Sequence, residues 1–146
     1  GYPVGVMATK KKFGGAFYPG THGSTFGGNP LACAMVVCAF EEISKDKFLK
    51  NVRDVSDIVF KGLRRIAQDT RTITDVRGKG LMIGVDTIFN ISDLLGALRD
   101  NGMLATQAGM NTLRFLPPLI LQKEDAHKGL RIIRQTLIEM NEKAAS

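Results

Sequence analysis

Three groups of residues have types and spacings that could do chemistry. The first is the run His22-Gly23-Ser24-Thr25-Phe26-Gly27-Gly28-Asn29-Pro30. Its small residues let backbone N–H groups converge, Ser24 and Thr25 offer neighbouring hydroxyl donors, and a helix start follows at once. Those are the parts of an anion or phosphate cradle. The run is not a P-loop, because the G-x-x-x-x-G-K-[ST] spacing is absent and no lysine follows the glycines. An Ω-like loop whose glycines only satisfy turn geometry is an equal reading of the same residues. The second group is Arg114 within Thr-Leu-Arg-Phe-Leu-Pro-Pro-Leu. A guanidinium on a short apolar strand is costly unless paired, and its planar fork suits a carboxylate. That carboxylate is either a ligand's or the partner in an internal salt bridge. The third, Arg77-Gly78-Lys79-Gly80, has the glycine content of a dinucleotide fingerprint but the wrong context. A strand-like run follows it where that motif would open a helix. It reads as a tight turn between strands.

The remaining reactive side chains do not assemble. Cys33 and Cys38 are the only cysteines. On a helix they would point about 140° apart, which argues against a disulfide between them and for buried free thiols in a reducing compartment. His22 and His127 lack the acidic or cysteine neighbours of a metal site or a triad, so no metal is expected. Lys10, Lys11 and Lys12 read as a solvated run. The chain offers binding groups without a reactive one.

Elements must position those groups, and the composition limits which. In 146 residues 44% are apolar and 23% charged, and eight of the sixteen glycines fall in the first 28 positions. No apolar run reaches the roughly 20 residues of a membrane-spanning helix. The net charge of +6 is dispersed, with no interleaved aromatics, so the nucleic-acid-binder class has no pattern behind it.

Pro3 to Thr9 reads as a short strand buried on both faces, and a glycine-rich loop over 10–28 follows, with a helical turn around Phe13 to Phe17. Asn29 caps a helix with Pro30 at its first position. Leu31 to Ile43 is apolar on every side, which predicts a buried helix. Phe48, Val52, Val55, Val59, Leu63 and Ile66 form the stripe of a long amphipathic helix. The change near residue 45 divides the chain into 1–45 and 46–146. Strands are expected over Thr72 to Val76, Leu81 to Thr87, Met103 to Thr106 and Leu113 to Leu116. Helices are expected after Asn90, ending at Asn101-Gly102, and over Glu124 to Lys143. The back half is thus a compact α+β unit.

Four segments in order, GYPVGVMAT, HGSTFGGNPLACA, VRGKGLMIGV and LRFLPPLI, resemble the class III, ornithine-type aminotransferases over nearly the whole chain. The resemblance implies a mixed α/β and α+β fold, the C-terminal portion of a fold-type I transferase that uses pyridoxal 5′-phosphate. Residues 1–45 would be the end of its large cofactor-binding domain, and 46–146 an interdomain helix with the small domain. It implies a cytoplasmic homodimer acting on small amino acids and 2-oxo acids. By the same resemblance Thr25 binds the cofactor phosphate of the neighbouring subunit, Ser24 lies beside the substrate, and Arg114 receives a substrate carboxylate. The Schiff-base lysine is expected upstream of Gly1, so no catalytic residue is assigned within the chain, and the 146 residues alone are expected to be inactive. LACA after GGNP, with LRFLPPLI, leans toward members that move the δ-amino group of N-acetylornithine to 2-oxoglutarate in arginine biosynthesis. Ornithine, succinylornithine or 4-aminobutyrate as donor, or an inactive interaction module, are the alternatives.

Overall fold

The computed structural model describes residues 2–145, so the segment ends expected at Gly1 and Ser146 lie outside the described residues. The chain divides into two compact units between Lys45 and Asp46.

In the first unit the expected strand over Pro3 to Thr9 is absent, since residues 2–10 carry no regular structure and are exposed. A strand needs a hydrogen-bonded neighbour, and none pairs with this segment among the described residues. The helical turn is a short 3₁₀ segment, Lys11–Ala16. Helix α1 spans Pro30–Ile43, and the Asn29 side chain accepts from the Ala32 N–H at 2.9 Å. Here the local signals hold, but the expected burial does not. Ala32 alone in α1 is buried, while Leu31 and Phe40 are 61% and 70% exposed. A helix apolar all round needs cover on every side, and the described residues do not provide it. Cys33 and Cys38 are free as expected, but exposed, because they sit on that same uncovered helix.

The second unit has a core of its own. Helix α2, Asp46–Thr70, buries Val55, Val59, Leu63 and Ile66 of the predicted stripe and half-buries Phe48 and Val52. Strands β1 (Ile73–Lys79), β2 (Met82–Thr87), β3 (Thr106–Ala108) and β4 (Thr112–Phe115) form one sheet in the order β1-β2-β4-β3. All neighbouring strands in it are antiparallel. Helices α3 (Ile91–Asp100) and α4 (Lys123–Ala145) complete the unit. Leu94 and Leu98 of α3, Ile133 and Leu137 of α4, and Ile83, Val85, Leu113 and Phe115 of the sheet join the α2 stripe in one cluster. Side chains alternate along a strand, so burying Leu113 and Phe115 turns Thr112 and Arg114 to the opposite, open face.

Two boundaries moved for identifiable reasons. Arg77, Gly78 and Lys79 are not a turn; they pair with Gly84, Ile83 and Met82, leaving Gly80-Leu81 as a two-residue hairpin loop. Gly80 has φ +64°, as a glycine in such hairpin loops does. Strand β3 starts later than Met103. The Met103 N–H donates to Leu98 O at 2.8 Å and that of Gly102 to Arg99 O at 2.9 Å. This is the double closure of a helix end on a left-handed glycine, Gly102 at φ +82°. The Met103 amide is occupied by the cap of α3, and the ladder begins only at Thr106.

Candidate functional site

The open face of the sheet carries a connected group of polar side chains. Reading across the four strands, Arg77, Gly84, Arg114 and Thr106 are direct partners in one row. Asp75, Asp86, Thr112 and Ala108 make the next row. Directly opposed residues share a face and touch, so the two arginines flank a glycine and look out on the same side.

Their states differ. Arg77 is fully engaged: Nη1 donates to Asp86 Oδ2 at 2.6 Å and to Asp75 Oδ2 at 2.7 Å. Its Nη2 donates to Asp86 Oδ1 at 3.0 Å and to Thr112 Oγ1 at 2.7 Å. The Thr112 hydroxyl in turn donates to Asp86 Oδ1 at 2.6 Å. These bonds raise the Arg77 pKa further above its ordinary range, with Asp86 the largest cause. Arg114 is half-buried and donates from Nε to Thr106 Oγ1 at 3.2 Å. Among the described residues it meets no carboxylate within ion-pair distance. The internal salt bridge, one of the two readings of this arginine, is not formed; the acids of this face are taken by Arg77.

The Asp86 carboxyl is held below the usual aspartate range, first by its hydrogen bonds from Arg77 and then by that from Thr112, with burial opposing. Its folded pKa is therefore lower than its unfolded one. The stability it contributes is complete above the unfolded value near 4 and is lost as pH falls through the depressed folded value. The stability difference between the wild type and Asp86→Asn is expected to stay constant from neutral pH to about 5 and to shrink below about 4. Urea unfolding at stepped pH measures it, and a difference that persists undiminished into strong acid would contradict this linkage.

Ser24 and Thr25 belong to the first unit. Val4, Gly5, Ser24, Phe26, Gly28 and Asn29 are among the residues lining a cleft of about 340 Å³ there. Ser24 lines it and Thr25 does not, though both are exposed. The segment is held as a turn by Gly27 N–H donating to Ser24 O at 3.3 Å and Asn29 N–H to Phe26 O at 3.4 Å. A Cβ on Gly27 would stand 2.6 Å from Ser24 Oγ, so a side chain there would turn the Ser24 hydroxyl out of its present position. The Asn29 side chain and carbonyl already accept the Ala32 and Cys33 N–H groups at the start of α1. Those two N–H groups of the helix start are therefore occupied, while the Ser24 and Thr25 side chains are exposed.

Sequence reasoning took Arg77 for a turn residue and passed over Asp75, Asp86, Thr112 and Thr106. A hairpin centred on Gly80-Leu81 would have placed Asp75 opposite Asp86 and Arg77 opposite Gly84 by counting alone. Among the described residues no three His, Cys, Asp or Glu side chains group as metal ligands, and no helix is long and apolar enough to cross a membrane. His22 lies 5.0 Å from the Phe17 ring, centroid to centroid, and Lys12 Nζ lies 4.8 Å from that of Phe13.

The family model described as Aminotransferase class-III matches residues 1–137. The acetylornithine aminotransferase of Streptococcus mutans is 40% identical over 141 residues, which is 97% of this chain and 37% of that protein. Among solved structures, acetylornithine aminotransferase from Elizabethkingia anophelis is similar with a TM-score of 0.74 and 33% identity. It covers 86% of this chain and 32% of its own. The ornithine aminotransferase of Toxoplasma gondii ME49 is similar with a TM-score of 0.77 and 31% identity, over 88% of this chain and 32% of its own. The chain thus spans about a third of the length of the proteins it matches.

Proposed function

The chain belongs to the class III aminotransferases, and from that premise we propose that it is the C-terminal part of an enzyme using pyridoxal 5′-phosphate. That enzyme would move the δ-amino group of N-acetylornithine to 2-oxoglutarate, as a step of arginine biosynthesis. The observation that carries this reading is the guanidinium of Arg114, presented on the open sheet face with no carboxylate of the described residues beside it. A two-pronged cation of this kind matches the carboxylate that every amino acid and 2-oxo acid carries. The names of the relatives support the choice of donor, and ornithine, succinylornithine and 4-aminobutyrate are the competing donors.

The first unit supplies the other end of the site. Two exposed hydroxyls on a tight glycine turn fit the phosphate end of the cofactor: Thr25 would hold that phosphate by donating from Oγ1, and Ser24 would stand beside the substrate. When bound, pyridoxal phosphate supplies the electron sink that lets an amino group pass between carbon skeletons. This chain's residues orient what is bound. Arg114 fixes the substrate by its carboxylate, and Thr25 holds the phosphate of a neighbouring subunit in a homodimer. No lysine of the chain is assigned to the cofactor's aldehyde. Residues 1–45 would end the large domain and 46–146 form the interdomain helix and the small one. Two exposed, unpaired thiols suit a reducing, cytoplasmic setting. Neither a nucleic acid nor a membrane is proposed as a partner.

The test is a chimera in which this chain replaces the segment it matches in the S. mutans protein. The chimera is expected to consume N-acetylornithine and 2-oxoglutarate, faster than ornithine or 4-aminobutyrate. The isolated 146 residues, given pyridoxal phosphate, are expected to turn over none of these. Turnover by the isolated chain would overturn its reading as a part, and a folded chimera preferring another donor would overturn the substrate.

A further inference from the structure

Thr106 stands directly opposite Arg114 across the β3–β4 ladder, on the same open face. Its Oγ1 accepts from Arg114 Nε at 3.2 Å and donates to Arg114 O at 3.4 Å. One hydroxyl has one hydrogen and two lone pairs, so both bonds can exist together. The threonine thereby ties the guanidinium of Arg114 to the backbone of the same residue. Branching at Cβ restricts the Thr106 rotamer, which keeps the hydroxyl in place.

A guanidinium can take a carboxylate in two bidentate ways: along the edge made by Nε and one Nη, or end-on through both Nη atoms. We propose that Thr106 is a positioning residue that occupies Nε and commits Arg114 to the end-on mode. The inference rests on the assignment of Arg114 to a substrate carboxylate. The rest of the row fits it. On the side away from Thr106 comes Gly84, which has no side chain to crowd the fork, and beyond it Arg77. Asp75 and Asp86, the acids nearest in the sheet, are held by Arg77 and do not compete for the free end of Arg114.

The experiment uses the ¹⁵N-labelled chimeric enzyme, in which this chain completes the site, titrated with 2-oxoglutarate and followed at the arginine Nε–Hε resonances. Arg114→Lys identifies the Arg114 signal by its loss. In the wild type that signal is expected to exchange slowly with water before ligand is added, and both the signal and the bound fraction respond to 2-oxoglutarate. Thr106→Val keeps the shape and suits an edge strand. It is expected to speed exchange at Arg114 Nε and to weaken binding roughly three- to tenfold, the net worth of one ordinary hydrogen bond. Thr106→Ser, which restores the hydroxyl, is expected to recover both. Binding that requires Arg114 but is indifferent to Thr106→Val overturns the positioning role alone. Equal losses in the valine and serine variants also overturn it, since they would report packing. If the wild type and Arg114→Lys both fail to bind, the carboxylate reading of Arg114 falls and the role of Thr106 with it.

Discussion

Replacing Arg114 with alanine in the chimeric enzyme is expected to raise the KM for 2-oxoglutarate by two to three orders of magnitude, with kcat changed by no more than a few-fold. The guanidinium is half-buried on the open sheet face and meets no protein carboxylate among the described residues. A ligand carboxylate there gains two charge-assisted hydrogen bonds. Losing such a charged pair costs about 3–4 kcal/mol, and every 1.4 kcal/mol is a factor of ten. Because the carboxylate is not the group that reacts, it is held equally in ground and transition states. The loss therefore falls on KM rather than kcat. Arg114→Lys keeps the charge without the fork and should recover about tenfold of it. Stability supplies the counter-test. An arginine in an internal salt bridge would destabilise the fold when removed, whereas Arg114→Ala is expected to cost less than about 1 kcal/mol in urea unfolding of the chain. A large stability loss with an unmoved KM would mean that Arg114 is structural.

The second large effect concerns the fold rather than the site. Gly78→Ala is expected to destabilise the second unit by roughly 3–4 kcal/mol, a substantial part of the 5–15 kcal/mol typical of a domain. Gly78 lies within β1 at φ +136°, and a Cβ there would stand 2.1 Å from the Met82 carbonyl oxygen. The obstacle is backbone, so no side chain can swing aside. Relief requires the β1–β2 ladder to part beside Arg77, whose contacts to Asp86 and Thr112 span that ladder. Gly80→Ala is the control. Gly80 also has positive φ, at +64°, but nothing lies within 4 Å of the added carbon. Its cost should be only the conformational 1–2 kcal/mol of an L-residue in the left-handed region. Equal losses at the two positions in urea unfolding would contradict the clash.

Much of the second unit is legible locally. The α2 stripe predicts its own burial, because a 3.6-residue period leaves one face to cover. Asn90 at the start of α3 and Asn101-Gly102 at its end are cap signals, and both act as caps. Other features depend on groups distant in sequence. The span expected for β3 began at Met103 because local apolarity says nothing about where an amide is already bonded. Arg77 reads as part of a turn because Gly78 and Gly80 follow it closely. Gly78, though, is there for close approach to a neighbouring strand, a demand that originates at Met82. The apolar circumference of Leu31 to Ile43 describes what that helix requires, and the described residues leave it uncovered.

By itself the sequence determined which groups this protein can offer: a hydroxyl pair on a glycine turn, a strand arginine shaped for a carboxylate, and helices whose caps and stripes position them. These follow from side-chain chemistry and from contacts a few residues long. Only the tertiary structure decided which arginine is available. Arg77 and Arg114 lie 37 positions apart in sequence, and neither local sequence names the groups that each one meets. Strand register brings Asp75, Asp86 and Thr112 around the first and leaves Thr106 alone beside the second. Whether a charge is neutralised or left to bind depends on which groups lie within a few ångströms, and pairing across strands sets that distance.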